Sequence, residues 1–214
     1  KIVIRDSESY KTTLKNNCVL VDPKERRKRI IDSVKETADT ISAKAILDDE
    51  LVDEVNNLVE FPTPVLCKFD EKYLNLPPEV LITCLKKKQK CFAVKDLNGK
   101  LTNYFIGIRN GKSEKQDVVR QGYQKVVVAR LSDAEFFYDN DVKKSFESSI
   151  ERLKGLVFRK EIGTVYEKLA RIKKLAVFIN KENNLQEQEN KINKVVDLSK
   201  TDLVSEMVFE YPEL

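Results

Sequence analysis

Glycine and proline are scarce in this chain, six of each in 214 residues, where average usage would be roughly 12% for the two together. The shortage excludes collagen-like, loop-dominated and low-complexity classes and favours long helices. Apolar residues at 41% can build a sizeable core, which argues against wholesale disorder. The length suits one mid-sized domain or two small ones.

There is no histidine, so His-dependent triads, His-ligated metal sites and an intact His-Asp phosphohydrolase centre are excluded within these residues. The four cysteines, Cys18, Cys67, Cys84 and Cys91, lack CxxC spacing and sit in apolar stretches, CVLV, VLCKF, ITCL and CFAV. Neither a disulfide framework nor a zinc site is expected, and the thiols read as reduced core residues of a cytosolic protein. No apolar run approaches the roughly 20 residues of a membrane span; the longest compact one is Leu175 to Ile179. No signal peptide opens the chain. It starts at Lys1, its only methionine is Met207, and it is expected to be an excised or processed fragment.

Charge is unevenly spread. Between Pro78 and Arg130, nine Lys and three Arg face four carboxylates, a balance of +8, whereas the remainder has 27 cations against 31 carboxylates. A basic middle is a candidate polyanion surface, although on charge alone a solvated lysine face is the better account.

Along the chain, KIVI and CVLV within residues 1–21 read as short strands. Asp22-Pro23 opens a helix with Ile30, Val34, Ala38 and Ile41 as its apolar stripe. Arg26, Arg27, Lys28 and Arg29 crowd its first turns, the unfavourable end of the helix dipole. A phosphate or an ordinary exposed helix explains them equally well. A second helix runs from about Asp48 to Glu60 and stops at Phe61-Pro62-Thr63-Pro64. Pro64 to Phe69 reads as a strand and Pro77-Pro78 as a helix start. CFAVKD, Asn98-Gly99 and KLTNYFIGI read as a hairpin with a type I′ turn. After Gly111 the pattern turns helical, and no strand is expected beyond Ser145. Phe146, Ile150, Leu153 and Val157 form one stripe, and Val165, Leu169, Ile172, Ala176 and Ile179 another. The polar stretch KENNLQEQENK and a final segment with Leu203, Val204, Met207 and Val208 follow.

No GxxxxGK[ST] or GxGxxG is present. Asp139 and Asp141 read as caps rather than metal ligands. The Phe136-Phe137-Tyr138 run reads as core rather than as a base-stacking platform, because consecutive helical residues cannot share one ligand.

Five ordered motifs then carry a resemblance: Glu60-Phe61-Pro62, Pro78-Glu79-Val80-Leu81, Lys86 to Phe92, Ala129 to Phe137 (ARLSDAEFF), and Thr201 to Tyr211 (TDLVSEMVFEY). With them the chain resembles the beta subunit of bacterial glycyl-tRNA synthetase over most of its length, and only Lys1 to Ala45 matches loosely. The resemblance implies an α+β fold. A small mixed or antiparallel sheet with flanking helices, 1–158, would correspond to the tRNA-associated domain of the phenylalanyl enzyme's beta chain. An all-helical segment, 159–214, would be the truncated start of an HD-like domain. It also implies a subunit of a glycine–tRNA ligase, an α2β2 tetramer in which the alpha subunit binds glycine, ATP and Mg, while this chain holds no cofactor and no catalytic residue. The implied partners are tRNA(Gly) and the alpha subunit, without a membrane and in the cytoplasm.

The expected role is to grip tRNA so that its 3′ end reaches the alpha active site. An A-form stem offers phosphates and 2′-hydroxyls to cations on a rigid sheet. The first candidates are Lys86, Lys87, Lys88 and Lys90 at a helix-to-strand junction, followed by Arg109 and Lys125. Arg130 and Asp133 of the ARLSDA motif read as a structural ion pair or cap. The alternatives are a purely structural scaffold between subunits and a deacylase that edits mischarged tRNA, the latter by fold-level analogy only.

Overall fold

The computed structural model describes residues 2–4, 6–184 and 188–214. The chain divides between Glu135 and Phe136 into two compact units.

The first unit contains helices α1 (Tyr10–Asn16), α2 (Pro23–Asp39), α3 (Asp49–Leu58) and α4 (Pro78–Thr83). Its strands are β1 (Lys44–Ala45), β2 (Pro62–Lys68), β3 (Phe92–Lys95) and β4 (Leu101–Asn110). A 27-residue helix, α5 (Gln116–Val142), starts in this unit, and its last turns belong to the second. The strands pair antiparallel in the order β1-β3-β4-β2.

The two N-terminal strands expected from KIVI and CVLV are not formed. Ile2 to Ile4 are irregular, Lys1 lies outside the described residues, and the polar segment between the two runs is helix α1. Cys18 ends that turn at φ +62. Of the CVLV run only Leu20 is buried, and its N–H donates to Glu60 O at 2.9 Å; one such bond does not make a strand.

Helix α2 begins where expected, with the Asp22 carboxylate accepting from Lys24 N and Glu25 N ahead of Pro23. Ile30, Val34 and Ala38 bury completely against Leu51, Val52 and Val55 of α3 and Phe92, Val94, Ile106 and Ile108 of the sheet. The alternation of Phe92 with Val94 and of Ile106 with Ile108 places these residues on one sheet face. The arginines of α2 are tied down internally. Arg26 donates to Asn56 O at 2.9 Å and Leu20 O at 2.6 Å. Arg27 pairs with Asp49 and Asp53, both at 2.6 Å. Arg29 donates to Pro62 O at 3.1 Å and lies 4.1 Å above the Phe61 ring.

Strand β2 is an edge, and an edge strand needs cover. Its alternate carbonyls receive it from side chains: Pro62 O from Arg29, Pro64 O from Gln116, Leu66 O from Arg120 and Lys68 O from Gln124. The three donors of α5 are spaced i, i+4, i+8. Four helical residues advance about 6 Å and two strand residues about 6.8 Å, so helix and strand stay in step. Pro62 and Pro64 sit where an edge tolerates a missing N–H. On the same helix, Tyr123 donates to Ile108 O at 2.9 Å. Its ring lies so close to Gly107 that a Cβ there would sit 2.8 Å away.

The β3–β4 hairpin is antiparallel, as expected, but its turn is not type I′. Asp96 and Lys100 flank a three-residue loop, Gly99 N donates to Asp96 O at 3.1 Å, and in the loop only Gly99 takes a positive φ, +85. Asp96 Oδ1 accepts from Asn98 N and Lys100 N, both at 2.9 Å. This carboxylate fixes the longer loop with its left-handed glycine.

The second unit contains α6 (Phe146–Ser149), β5 (Val157–Arg159), β6 (Gly163–Thr164), α7 (Val165–Glu182), α8 (Glu189–Leu198) and α9 (Glu206–Glu210). The β5–β6 hairpin overturns the expectation of no strand beyond Ser145. Spacing at i, i+3 and i+4 takes no account of Gly155 and Gly163, which interrupt the helical run. Phe146 and Val157 are exposed accordingly. Gly163 turns at φ +89 into α7, whose start is a capping box between Thr164 and Glu167. Leu153, Val165, Leu169 and Val196 form the small core, and Lys173 pairs with Asp197 between α7 and α8 at 2.6 Å. Part of the KENNLQEQENK stretch, 185–187, lies outside the described residues. Phe136 is exposed and Phe137 and Tyr138 are half-buried, so the FFY run is not core.

Candidate nucleic-acid interface

The four lysines that the sequence favours leave α4 through a π-helical turn, Cys84–Lys88. Lys90 closes the junction at φ +52, with Lys90 N donating to Lys86 O and Cys91 N to Leu85 O. The widened turn lets neighbouring lysines share a side, and that side faces α3. Lys86 Nζ lies 2.9 Å from Asp48 and 2.8 Å from Glu50, Lys87 3.5 Å from Glu50, and Lys90 2.6 Å from Glu54. Lys88 has a partner of its own. The ammonium of Lys86 is held above its usual pKa, first by Glu50 and then by Asp48. Asp48 is held below the carboxylate range by the Leu51 N–H and then by Lys86. Lys86, Lys87 and Lys90 thus face Asp48, Glu50 and Glu54, three cations against three carboxylates, while Asp49 and Asp53 of the same helix are taken by Arg27. Proximity in sequence marks this cluster as basic; the fold sets it among acids.

Arg109 and Lys125 stand differently. Arg109 Nη1 donates to Glu114 O at 2.6 Å, which leaves its charge without a carboxylate in that contact. Lys125 is exposed on α5. Lys112 and Lys115, on the connection from β4 to α5, are exposed too, and no carboxylate among the described residues pairs with Lys112, Lys115 or Lys125. From Arg109 to Lys125 five cations face two carboxylates, Glu114 and Asp117, and Asp117 is engaged by Arg120 at 2.7 Å. Lys112 and Lys115 are not among the candidates that the sequence favours, because those are chosen for their helix-to-strand junction. The Asn110-Gly111 turn puts both on the connection ahead of α5, where they are exposed. Arg130 and Asp133 are exposed and 3.9 Å apart, one turn along α5.

Elsewhere the polar groups cap and pack. The Asp141 carboxylate accepts from Glu206 N at 3.1 Å and Met207 N at 2.8 Å, capping α9. Burial pushes the Cys67 thiol up to about 12 and the Cys91 thiol further still, which leaves little nucleophilic thiolate. Cys18, half-buried, departs from the core role expected of it.

The motifs that set the sequence apart are mostly structural. Phe61 carries Arg29, and Asn110 Oδ1 accepts from the N–H groups of Glu60 and Phe61 at 3.1 and 3.0 Å. Val80, Leu81, Leu131, Ala134, Thr201, Met207 and Tyr211 are buried. A sequence model built for the glycyl-tRNA synthetase beta subunit matches residues 1–214. The chain belongs to the glycyl-tRNA synthetase beta subunit family. Similar proteins include the glycine–tRNA ligase beta subunits of Dictyoglomus thermophilum and Lactobacillus gasseri, each 44% identical over 214 residues, and of Oceanobacillus iheyensis, 40% identical over 215. In each case all of this chain is covered but only 31% of the relative, so the chain spans about a third of the length of these curated relatives.

Among the described residues no helix is long and apolar enough to cross a membrane, and no group of three or more His, Cys, Asp or Glu could hold a metal ion.

Proposed function

We propose that these residues form the part of a glycine–tRNA ligase beta subunit that holds tRNA(Gly) for charging at an active site on the alpha subunit. Glycine, ATP and Mg are then the business of the alpha chain in an α2β2 assembly in the cytoplasm. The observation that carries the proposal is the family match along all 214 residues. The geometry refines it. A phosphate backbone is attracted by cations not already compensated, which favours Lys112, Lys115 and Lys125, with Arg109 beside them. Lys86, Lys87 and Lys90 act instead as the fastening between the π-helical turn and α3. RNA approaching them would also meet Asp49 and Glu50, which are exposed.

The test uses the full beta subunit assembled with its alpha partner. Replacing Lys112, Lys115 and Lys125 by Glu raises KM for tRNA in glycylation and leaves ATP–pyrophosphate exchange unchanged, because placement of tRNA and not activation of glycine is impaired. Unchanged KM hands the role to a scaffold.

A further inference from the structure

The tripeptide Asn-Gly-Lys occurs twice in this chain, at Asn98-Gly99-Lys100 and at Asn110-Gly111-Lys112. Asn-Gly is the pair most open to loss of the side-chain amide, because glycine has no Cβ to keep its own nitrogen from the asparagine carboxamide. Both asparagines are exposed, so neither the tripeptide nor access to solvent separates the two sites. Hydrogen bonding does. Asn110 Oδ1 accepts from Glu60 N at 3.1 Å and Phe61 N at 3.0 Å. Gly111 N donates to Phe61 O at 2.8 Å, and Gly111 O accepts from Thr63 Oγ1 at 2.6 Å. Asn110 is also paired with Pro62 at the end of the β2–β4 ladder. At the tip of the β3–β4 hairpin, by contrast, the Asn98 carboxamide has no hydrogen-bond partner among the described residues. The neighbouring Gly99 N is held by a single bond, to Asp96 O at 3.1 Å. The contacts of Asp96 Oδ1 hold Asn98 N and Lys100 N, not the Gly99 nitrogen or the Asn98 carboxamide.

We infer that Asn98 is a site of spontaneous deamidation in the folded protein, and that Asn110, in the same tripeptide, is protected by the fold. Hydroxide takes the proton from Gly99 N, and that nitrogen attacks Asn98 Cγ. The new N–Cγ bond closes a succinimide as the Cγ–Nδ2 bond breaks, and Nδ2 leaves as ammonia with a proton from water. A water molecule then adds to either ring carbonyl and opens the ring to an aspartyl or an isoaspartyl residue, with no change of oxidation state. The reacting groups give up one bond at Asn98 but three at Asn110, where Glu60 and Phe61 hold both the carboxamide and the attacking nitrogen. Opening a hairpin tip costs less than opening a ladder end that is tied to a second strand. Either product adds a carboxylate beside Asp96. The isoaspartyl form also inserts a methylene into the main chain of the loop, which spreads the two N–H groups that Asp96 Oδ1 holds.

The experiment follows both sites in one molecule, the full-length beta subunit assembled with its alpha partner and incubated at mildly alkaline pH. Cleavage after lysine frees Asp96–Lys100 and Leu101–Lys112, which carry one Asn-Gly each, and mass spectrometry with fragmentation places the amide-to-acid mass gain on Asn98 or Asn110. In the folded subunit Asn98 should convert at least roughly tenfold faster than Asn110, the factor set by the difference in local opening. In the same protein unfolded in urea the two rates should become comparable, since both sites read Asn-Gly-Lys. Equal rates in the folded subunit, or faster conversion of Asn110, overturn the inference. So does an Asn98 that stays intact in the folded subunit over the time in which the unfolded chain converts. A gap that persists unchanged in urea overturns it as well, because the preceding residues, Leu97 and Arg109, and not the fold, would then set the difference.

Discussion

Helices α2 and α7 are nearly equal in length, 17 and 18 residues, and both carry an apolar stripe and many cations, yet they meet opposite fates. Every apolar side chain that anchors α2 is buried, and its arginines end on backbone carbonyls, carboxylates or the Phe61 ring. In α7 half of the apolar surface stays outside. The difference lies in what surrounds each helix rather than in its sequence. Around α2 the sheet and α3 supply a full set of partners; around α7 the described residues supply α8, the β5–β6 hairpin and a small core built on Leu153, Val165, Leu169 and Val196.

The largest expected contrast follows directly. Ile30→Ala empties a fully buried site and should cost about 2–5 kcal/mol, whereas Leu175→Ala should change the stability of this chain by no more than about 0.5 kcal/mol. Urea unfolding of the two variants measures both. A large destabilisation at Leu175 would show that α7 already has its cover. Gly107→Ala comes next: its Cβ would press on the Tyr123 ring and should cost about 1–3 kcal/mol. Tyr123→Phe, which removes only the bond to Ile108 O, should cost about 1 kcal/mol. The caps should be alike in both units, about 0.5–2 kcal/mol for Asp22→Ala and for Thr164→Ala, since a cap depends on its own helix end and not on the completeness of the core.

Smallest is the acid limb. Asp48 and Glu50 are held below their usual pKa values of 3.8 and 4.5. Their contribution is therefore full above the unfolded values and lost as pH falls through the depressed folded ones. Melting temperature should be level through neutral pH and decline below about pH 4.5. Lys86→Met should shrink that decline only in part, because the Leu51 N–H, the first hold on Asp48, remains. Lys86 itself runs the other way, its contribution being present below its usual 10.5 and lost as pH climbs through the raised value.

Much of the first unit is legible in the residues. Asp22-Pro23, the Phe61-Pro62-Thr63-Pro64 stop after α3 and the Cys91-to-Ile108 hairpin each announce themselves by local chemistry. What is not legible depends on neighbours distant in sequence. The loop at Asn98-Gly99 is settled by Asp96, which lies outside the dipeptide that suggests type I′. The β5–β6 hairpin hides in a run whose spacing imitates a helix. Above all, Lys86 to Lys90 look like the basic site because Asp48 to Glu54 lie more than thirty residues away, and only the fold brings them within 3.5 Å. Among the described residues Lys125 has no such carboxylate partner.

That contrast between two sets of cations is best tested by the salt dependence of tRNA(Gly) binding to the full beta subunit. Converting Lys112, Lys115 and Lys125 to Gln should flatten the slope of log K against log salt by roughly 0.9 for each duplex phosphate that is no longer neutralised. Converting Lys86, Lys87 and Lys90 to Gln should leave the slope as it was. A slope that flattens with the second set and not with the first would contradict the account and return the tRNA contact to the π-helical turn.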